Sequence, residues 1–155
     1  MNSTRMVRIL LVDDNENDVE LTLDAFRQER LSNQLEVARS GQEALDRLFG
    51  RTRRPDGDRE PLPDLILLDV KMPRVDGFEV LRQIKSAPVL RRIPVVILTS
   101  SREEGDRAMT YDTGANSYLV KPVSFDGMLE IVRKIEDYWL TINVGPPLHD
   151  SEGPV

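Results

Sequence analysis

The stretch of sequence that decides the fold runs from Leu65 to Pro73 and reads Leu-Ile-Leu-Leu-Asp-Val-Lys-Met-Pro. Its four consecutive apolar residues show no period-two alternation, which predicts a strand covered on both faces in a parallel sheet between helices. The strand ends at Asp69. This carboxylate is therefore expected at the carboxyl edge of the sheet, where open α/β sheets bind their ligands.

Similar apolar runs recur along the chain and alternate with helical patterns. The predicted strands cover residues 7–12, 35–38, 65–68, 94–98 and 117–120. Helices follow each of them, and two of these helices start at S-x-x-E capping signatures, Ser40 to Glu43 and Ser101 to Glu104. The pattern predicts a doubly wound α/β domain over residues 1–142, followed by a tail over residues 143–155. We take its sheet to be flavodoxin-like with strand order 2-1-3-4-5, which would make the first and third strands neighbours.

Three segments carry more specific expectations. The fourth helix has a thin apolar face of Ala108, Met109 and Tyr111, which makes it a candidate moving part. The segment from Gly50 to Pro63 reads as a long loop, and its arginines are expected to be solvated or to touch an acidic partner. These arginines are Arg51, Arg53 and Arg54.

The fifth helix carries one long apolar stripe and several further apolar residues. The stripe consists of Phe125, Leu129, Val132, Ile135, Trp139 and Ile142. Outside it lie Ile131, Tyr138 and Leu140. Two interpretations stay open: a broad face towards the core, or a homodimer formed through the end of this helix and neighbouring surface.

Composition excludes several classes of protein. The 155 residues are 39% hydrophobic and 31% charged, which is typical of a single globular domain. A net charge of -6 argues against a nucleic-acid-binding surface, and no apolar run approaches the ~20 residues that cross a bilayer. Because the chain has no cysteine and no signal-peptide pattern, we expect a cytoplasmic protein.

Reactive side chains follow four of the five predicted strands. Asp13 and Asp14 follow the first strand, Asp69 the third, Thr99 the fourth and Lys121 the fifth. The carboxyl ends of parallel strands share one edge, so three carboxylates are expected in one pocket, where a hard divalent cation would relieve their repulsion. Oxygen ligands favour Mg²⁺ over zinc, and Asp69 could then act as a nucleophile towards phosphorus, with Thr99 and Lys121 bonding phosphoryl oxygens.

These motifs together resemble the receiver domain of two-component response regulators. The resemblance covers about Val7 to Leu140 and rests on Val12-Asp-Asp-Asn15, Leu68-Asp-Val-Lys-Met-Pro73 with Asp76-Gly77, Leu98-Thr-Ser100 and Tyr118-Leu-Val-Lys-Pro122. It implies a signalling domain rather than an enzyme, in which Asp69 accepts a phosphoryl group from the phosphohistidine of a sensor histidine kinase.

The same resemblance implies a role for each site residue. Asp14, Asp69 and the main-chain carbonyl of Lys71 would bind Mg²⁺, and Asp13 would act through water. Thr99 and Lys121 would hold the phosphoryl oxygens, with a cis peptide between Lys121 and Pro122 and the Lys71 side chain free. Tyr118 would swing inwards when Thr99 moves, and this would change the surface around the fourth and fifth helices.

Little sequence remains after the fifth helix, which is similar to single-domain receivers of the chemotaxis-regulator type. The loop before the third strand and the long fifth helix resemble the response regulators associated with bacterial phytochromes. We therefore expect a stand-alone receiver without a DNA-binding output domain, whose partner is a light-sensing histidine kinase, and no partnership with nucleic acid or membrane.

Three other functions compete with this interpretation. A Mg²⁺-dependent aspartyl phosphatase or phosphotransferase of the haloacid-dehalogenase type would need a second acid two residues after Asp69, where Lys71 stands. A nucleotide- or flavin-binding module would need a Gly-rich loop after the first strand. A degenerate receiver that acts only as a scaffold would lack one of the site residues.

Overall fold

A parallel sheet of five strands lies at the centre of the computed structural model, which describes residues 8–30, 35–53, 61–100 and 104–137. The strands are β1 (Ile9–Val12), β2 (Leu35–Ala38), β3 (Leu65–Leu68), β4 (Val95–Thr99) and β5 (Ser117–Val120). They are hydrogen-bonded in the order β2-β1-β3-β4-β5. The predicted fold class and strand order are therefore confirmed.

Helices connect the strands and cover both faces of the sheet. They are α1 (Glu16–Gln28), α2 (Gly41–Arg53), α3 (Gly77–Ser86), α4 (Glu104–Thr113) and α5 (Phe125–Ile135), with a short 3₁₀ helix at Leu90–Arg92. The predicted cap at Ser40 is confirmed, since its Oγ accepts the backbone N–H of Glu43, while the Glu43 carboxylate accepts the backbone N–H of Arg39, one residue before the cap. The cap expected at Ser101 lies outside the described residues.

Two apolar layers enclose the sheet because successive strand residues point to opposite faces. Leu10 and Val12 pack with residues of α2 and α3, whereas Ile9 and Leu11 pack with residues of α1 and α5. Every residue of β1 and β3 is buried. The polar residues that follow β1 and β3 therefore lie at the carboxyl edge of a buried sheet.

The structure corrects the expectation for the segment after Gly50. Helix α2 continues through Arg53, and Arg51 is buried rather than solvated. Its guanidinium forms an ion pair with Glu36 of β2 and donates a hydrogen bond to the carbonyl of Pro61, 3.3 Å away. A buried charge is tolerated when such partners satisfy it. The side chain of Arg53, and Arg54 itself, lie outside the described part of the chain.

The expected apolar face of α4 is wrong. Ala108, Met109 and Tyr111 are exposed, and the buried side chains of α4 are those of Asp106 and Thr110. None of the described side chains of α4 belongs to either apolar layer. A helix with so little apolar surface is oriented by polar contacts, and its side chains cannot be assigned to the core from hydropathy alone.

The stripe of α5 is confirmed in its middle and wrong at its start. Leu129, Val132 and Ile135 are buried, but Phe125 is exposed. Ile131 packs against the core layer that contains α1, which agrees with the broad core-facing alternative at this position. The remaining residues of this expectation, Tyr138, Trp139, Leu140 and Ile142, lie outside the described residues, so the homodimer stays a prediction.

Among the described helices, none is long and apolar enough to span a membrane.

Candidate functional site

The candidate site lies at the carboxyl edge of the sheet. Asp13, Asp69 and Lys121 are the first residues after β1, β3 and β5, and Thr99 is the last residue of β4. The backbone N–H of Asp69 donates to the carbonyl of Val12, and that of Lys121 donates to the carbonyl of Thr99, at 3.0 and 2.7 Å. The ladder of the sheet therefore extends to these residues. Their side chains start from positions that the core strands hold in place.

Asp69 is a buried carboxylate with a partner for each oxygen. Its Oδ1 accepts a 2.6 Å hydrogen bond from the Thr99 hydroxyl and a 3.1 Å bond from the backbone N–H of Lys71. Its Oδ2 accepts a 2.8 Å bond from the Lys121 ammonium. Thr99 is completely buried. The structure thus brings Asp69, Thr99 and Lys121 into direct contact.

The peptide bond between Lys121 and Pro122 is trans, so the expected cis bond is wrong. The main-chain bond to Thr99 already directs the lysine into the site. Burial alone would lower the pKa of the Lys121 ammonium, but hydrogen bonds to Asp13, Asp18 and Asp69 raise it above its ordinary value. These partners therefore stabilise the charged form of the side chain.

Three carboxylates converge beside Lys121. Oxygens of Asp13, Asp14 and Asp69 lie within 4.8 Å of one another, with Asp14 exposed and the other two buried. Burial raises the pKa of Asp13 to about 6, although its hydrogen bonds from Lys121 and the backbone N–H of Asn15 act in the opposite direction. An all-oxygen set with one open side fits a hard divalent cation such as Mg²⁺.

Lys71 occupies a different environment from the one expected. Its ammonium lies 3.1 Å from Oδ2 of Asp106 in α4, so its side chain is not free. The ion pair connects the loop after β3, which also bonds Asp69, to the helix that lacks apolar anchors. Sequence reasoning missed Asp106, because nothing in the pattern of α4 indicates a buried acid.

Tyr118, the aromatic residue expected to switch, is half-buried in β5 and packs against the layer that contains α2 and α3. Its backbone N–H donates to the hydroxyl of Tyr111 at 3.1 Å. Tyr118 faces Ile97 in the register of β4 and β5, two residues before Thr99. The aromatic ring and the site hydroxyl thus belong to adjacent strands.

Two further residues belong to the site: Asp18 was not singled out from the sequence, and Gly77 was quoted there only as part of a motif. Asp18 accepts a 2.8 Å hydrogen bond from Lys121. Its position in the first turn of α1, directly after the acidic residues that follow β1, is the signal that could have identified it. Gly77 begins α3 directly behind Asp69, where a Cβ would lie 2.3 Å from the Asp69 carbonyl oxygen.

Comparison with known proteins identifies the family. The family model of the response regulator receiver domain matches residues 9–133. The chain belongs to the response regulator receiver family. This receiver domain is 43% identical over 138 residues to the probable methanogenesis regulatory protein FilR2 of Methanothrix harundinacea, covering 89% of the chain and 86% of FilR2. It is 37% identical over 132 residues to the response regulator Rcp1 of Synechocystis, covering 85% and 88%.

Solved structures support the same relationship. The phosphorylated cyanobacterial phytochrome response regulator RcpA aligns with a TM-score of 0.80 at 37% identity, covering 92% of this receiver domain and all of RcpA. The Mn²⁺-bound form of Rcp1 aligns with a TM-score of 0.78 at 35% identity, covering 91% and 99%. The expected receiver family and the expected similarity to phytochrome response regulators are both confirmed.

Replacing Gly77 by alanine tests the close contact behind Asp69. We expect Gly77→Ala to lower the free energy of unfolding by about 1–3 kcal/mol, since the new methyl group must displace the backbone of the acceptor loop. Gly50→Ala is the matched control in α2, where no atom lies within 4 Å of the added carbon. It should stabilise the domain by about 0.5–1 kcal/mol. Urea unfolding measures the free energy of unfolding of both variants, and equal changes in the two would contradict the close contact at Gly77.

Proposed function

We propose that this receiver domain accepts a phosphoryl group on Asp69 from the phosphohistidine of a sensor histidine kinase. Phosphoryl acceptance is typical of the family to which the chain belongs. The observation that carries the proposal is the surrounding of Asp69, whose oxygens meet a hydroxyl, a backbone N–H and an ammonium. These are the donors that can also bond phosphoryl oxygens.

The transfer is a displacement at phosphorus. An oxygen of Asp69 forms a bond to phosphorus while the P–N bond of the phosphohistidine breaks and the electron pair returns to the imidazole. Lys121 and Thr99 then donate hydrogen bonds to phosphoryl oxygens. In this step the domain supplies the nucleophile and the electrostatic stabilisation, so it signals rather than turning over a substrate.

Mg²⁺ is the proposed cofactor, held by Asp14, Asp69 and the main-chain carbonyl of Lys71, with Asp13 acting through water. The convergence of three carboxylates supports this role, and the related protein Rcp1 has a Mn²⁺-bound form. When bound, the ion would neutralise the charge of the transferred group. Four carboxylates stand against the single ammonium of Lys121, so the site has an excess of negative charge that a divalent cation relieves.

Asp69→Asn tests the acceptor. We expect wild-type protein incubated with acetyl phosphate and Mg²⁺ to gain one phosphoryl group that is lost in alkali, and Asp69→Asn or removal of Mg²⁺ by EDTA to abolish the gain. An amide is not nucleophilic towards phosphorus at neutral pH. Intact-protein mass spectrometry measures the product. Asp24→Asn, an exposed acid of α1, is the control and should label normally. Undiminished labelling of Asp69→Asn would refute the assignment.

The proposed signal source is a light-sensing histidine kinase of the phytochrome type. Similarity to Rcp1 and RcpA supports this pathway, and similarity to FilR2 points to a different one. We expect a phytochrome kinase to transfer its phosphoryl group to this domain faster than a kinase without a photosensory module. Radiolabelled phosphotransfer from the two kinases, purified separately, gives the comparison. A preference for the second kinase would exclude the light pathway and leave the acceptor role intact.

We further propose that phosphorylation changes the surface formed by α4, β5 and α5. The Thr99 hydroxyl would leave Oδ1 of Asp69 for a phosphoryl oxygen, and Tyr118 would respond on the neighbouring strand. The ion pair between Lys71 and Asp106 supports transmission to α4, because it joins the acceptor loop to a helix without apolar anchors. Homodimerisation and a cytoplasmic location stay predictions, and sedimentation and cell fractionation are the measurements.

Thr99→Ala tests this route. We expect beryllofluoride, a phosphoryl mimic, to alter amide hydrogen exchange across residues 104–120 of wild-type protein in the presence of Mg²⁺. The alteration should be lost in Thr99→Ala, which keeps the carboxylates but lacks the hydroxyl that follows the phosphoryl group. Thr113→Ala is the control, because it removes an exposed hydroxyl whose hydrogen bond goes to the carbonyl of Met109 in the same helix. An unchanged exchange response in Thr99→Ala would contradict the proposed coupling.

A further inference from the structure

The ammonium of Lys121 has three N–H groups and three carboxylate partners. Its Nζ lies 2.7 Å from Asp13 Oδ2, 2.8 Å from Asp18 Oδ2 and 2.8 Å from Asp69 Oδ2. Every donor of the ammonium therefore has an acceptor. Asp13 and Asp69 belong to the cluster that could hold a divalent cation, whereas Asp18 does not. Asp18 is thus the one partner whose oxygens stay outside the cation cluster.

Asp18 is held in place by α1 independently of that cluster. Its backbone N–H donates to the side chain of Asn15, which caps the helix, and its carbonyl accepts the hydroxyl of Thr22. The carboxylate is one-third exposed, while the Lys121 side chain is almost wholly buried. The tip of the flexible side chain of Lys121, the residue after β5, is thereby bonded to the first turn of α1.

We propose that Asp18 is a positioning residue, which keeps the Lys121 ammonium at the acceptor site when Asp13 and Asp69 no longer accept its hydrogen bonds. This inference rests on the proposed function. Phosphorylation turns one oxygen of Asp69 into the bridging oxygen of an acyl phosphate, and a bound cation would engage Asp13 through water. One N–H of Lys121 can then stay on Asp18 while the other two turn to phosphoryl oxygens.

The physical reason is the flexibility of lysine. Its four-carbon stem loses much rotamer freedom when the ammonium is confined, and each lost partner weakens that confinement. The useful property of Asp18 is its hydrogen-bond acceptor, since its negative charge would repel an incoming phosphoryl group. An asparagine at this position could still accept the bond from Lys121, whereas an alanine could not.

Asp18→Ala and Asp18→Asn separate the hydrogen bond from the charge. In metal-free protein we expect a slowly exchanging ¹⁵Nζ signal of Lys121 in the wild type and in Asp18→Asn, and its loss in Asp18→Ala. With saturating acetyl phosphate and Mg²⁺, Asp18→Ala should lower the phosphorylation rate constant about tenfold, and Asp18→Asn should stay within about twofold of wild type. Asp24→Ala, an exposed acid of the same helix, should change neither quantity.

Three outcomes would overturn the inference: an unchanged Lys121 signal in Asp18→Ala, equal slowing in both Asp18 variants, or faster phosphorylation of both. The last two would show that the charge of Asp18 acts, not its hydrogen bond. The metal-free spectrum also separates this inference from the proposed function. If wild-type protein accepts no phosphoryl group, the proposed function fails, while the spectrum still reports whether Asp18 holds Lys121. If Asp18→Ala does not fold, Asp18→Asn carries the test, because the inference requires the slowly exchanging Lys121 signal to persist in that variant.

Discussion

The ion cluster around Lys121 is the interaction on which the site depends. Its ammonium joins the loop after β1, the first turn of α1 and the loop after β3 through three carboxylates. Buried carboxylates without a counter-charge would be protonated or would repel one another. The lysine therefore allows three acids to remain close together at the sheet edge. It leaves an excess of negative charge, which accounts for the affinity for a divalent cation that we propose.

The scaffold around this cluster combines rigid and weakly held parts. Asp69 and Lys121 extend the hydrogen-bond ladder of the buried sheet, and Gly77 lets α3 approach the backbone of Asp69 closely. A reactive group on such elements keeps its geometry without an induced rearrangement. Helix α4 differs, because its described side chains join neither apolar layer and Asp106 links it to Lys71. A change at the acceptor loop thus has a polar connection to the least anchored helix.

Residues whose environment is set locally were predicted well. The strands of the sheet, the cap of α2 and the positions of Asp13, Asp69, Thr99 and Lys121 at strand ends all follow from hydropathy and parallel-sheet geometry. Polar residues with distant partners were not. Asp18 was not singled out, Arg51 was expected in solvent or against an acidic partner, and Lys71 was expected to be free. In each case the partner comes from another element, and hydropathy carries no information about such pairing.

The sequence by itself determined the fold class and the edge at which the acidic residues gather, because apolar periodicity and strand direction are properties of short segments. The tertiary structure alone decided which charges meet. It directed Asp18 to Lys121, Asp106 to Lys71 and Glu36 to Arg51, and it turned the apolar residues of α4 outwards. The reason is that burial of a charge is favourable only beside its partner, and that partner is defined by packing between elements far apart in the chain.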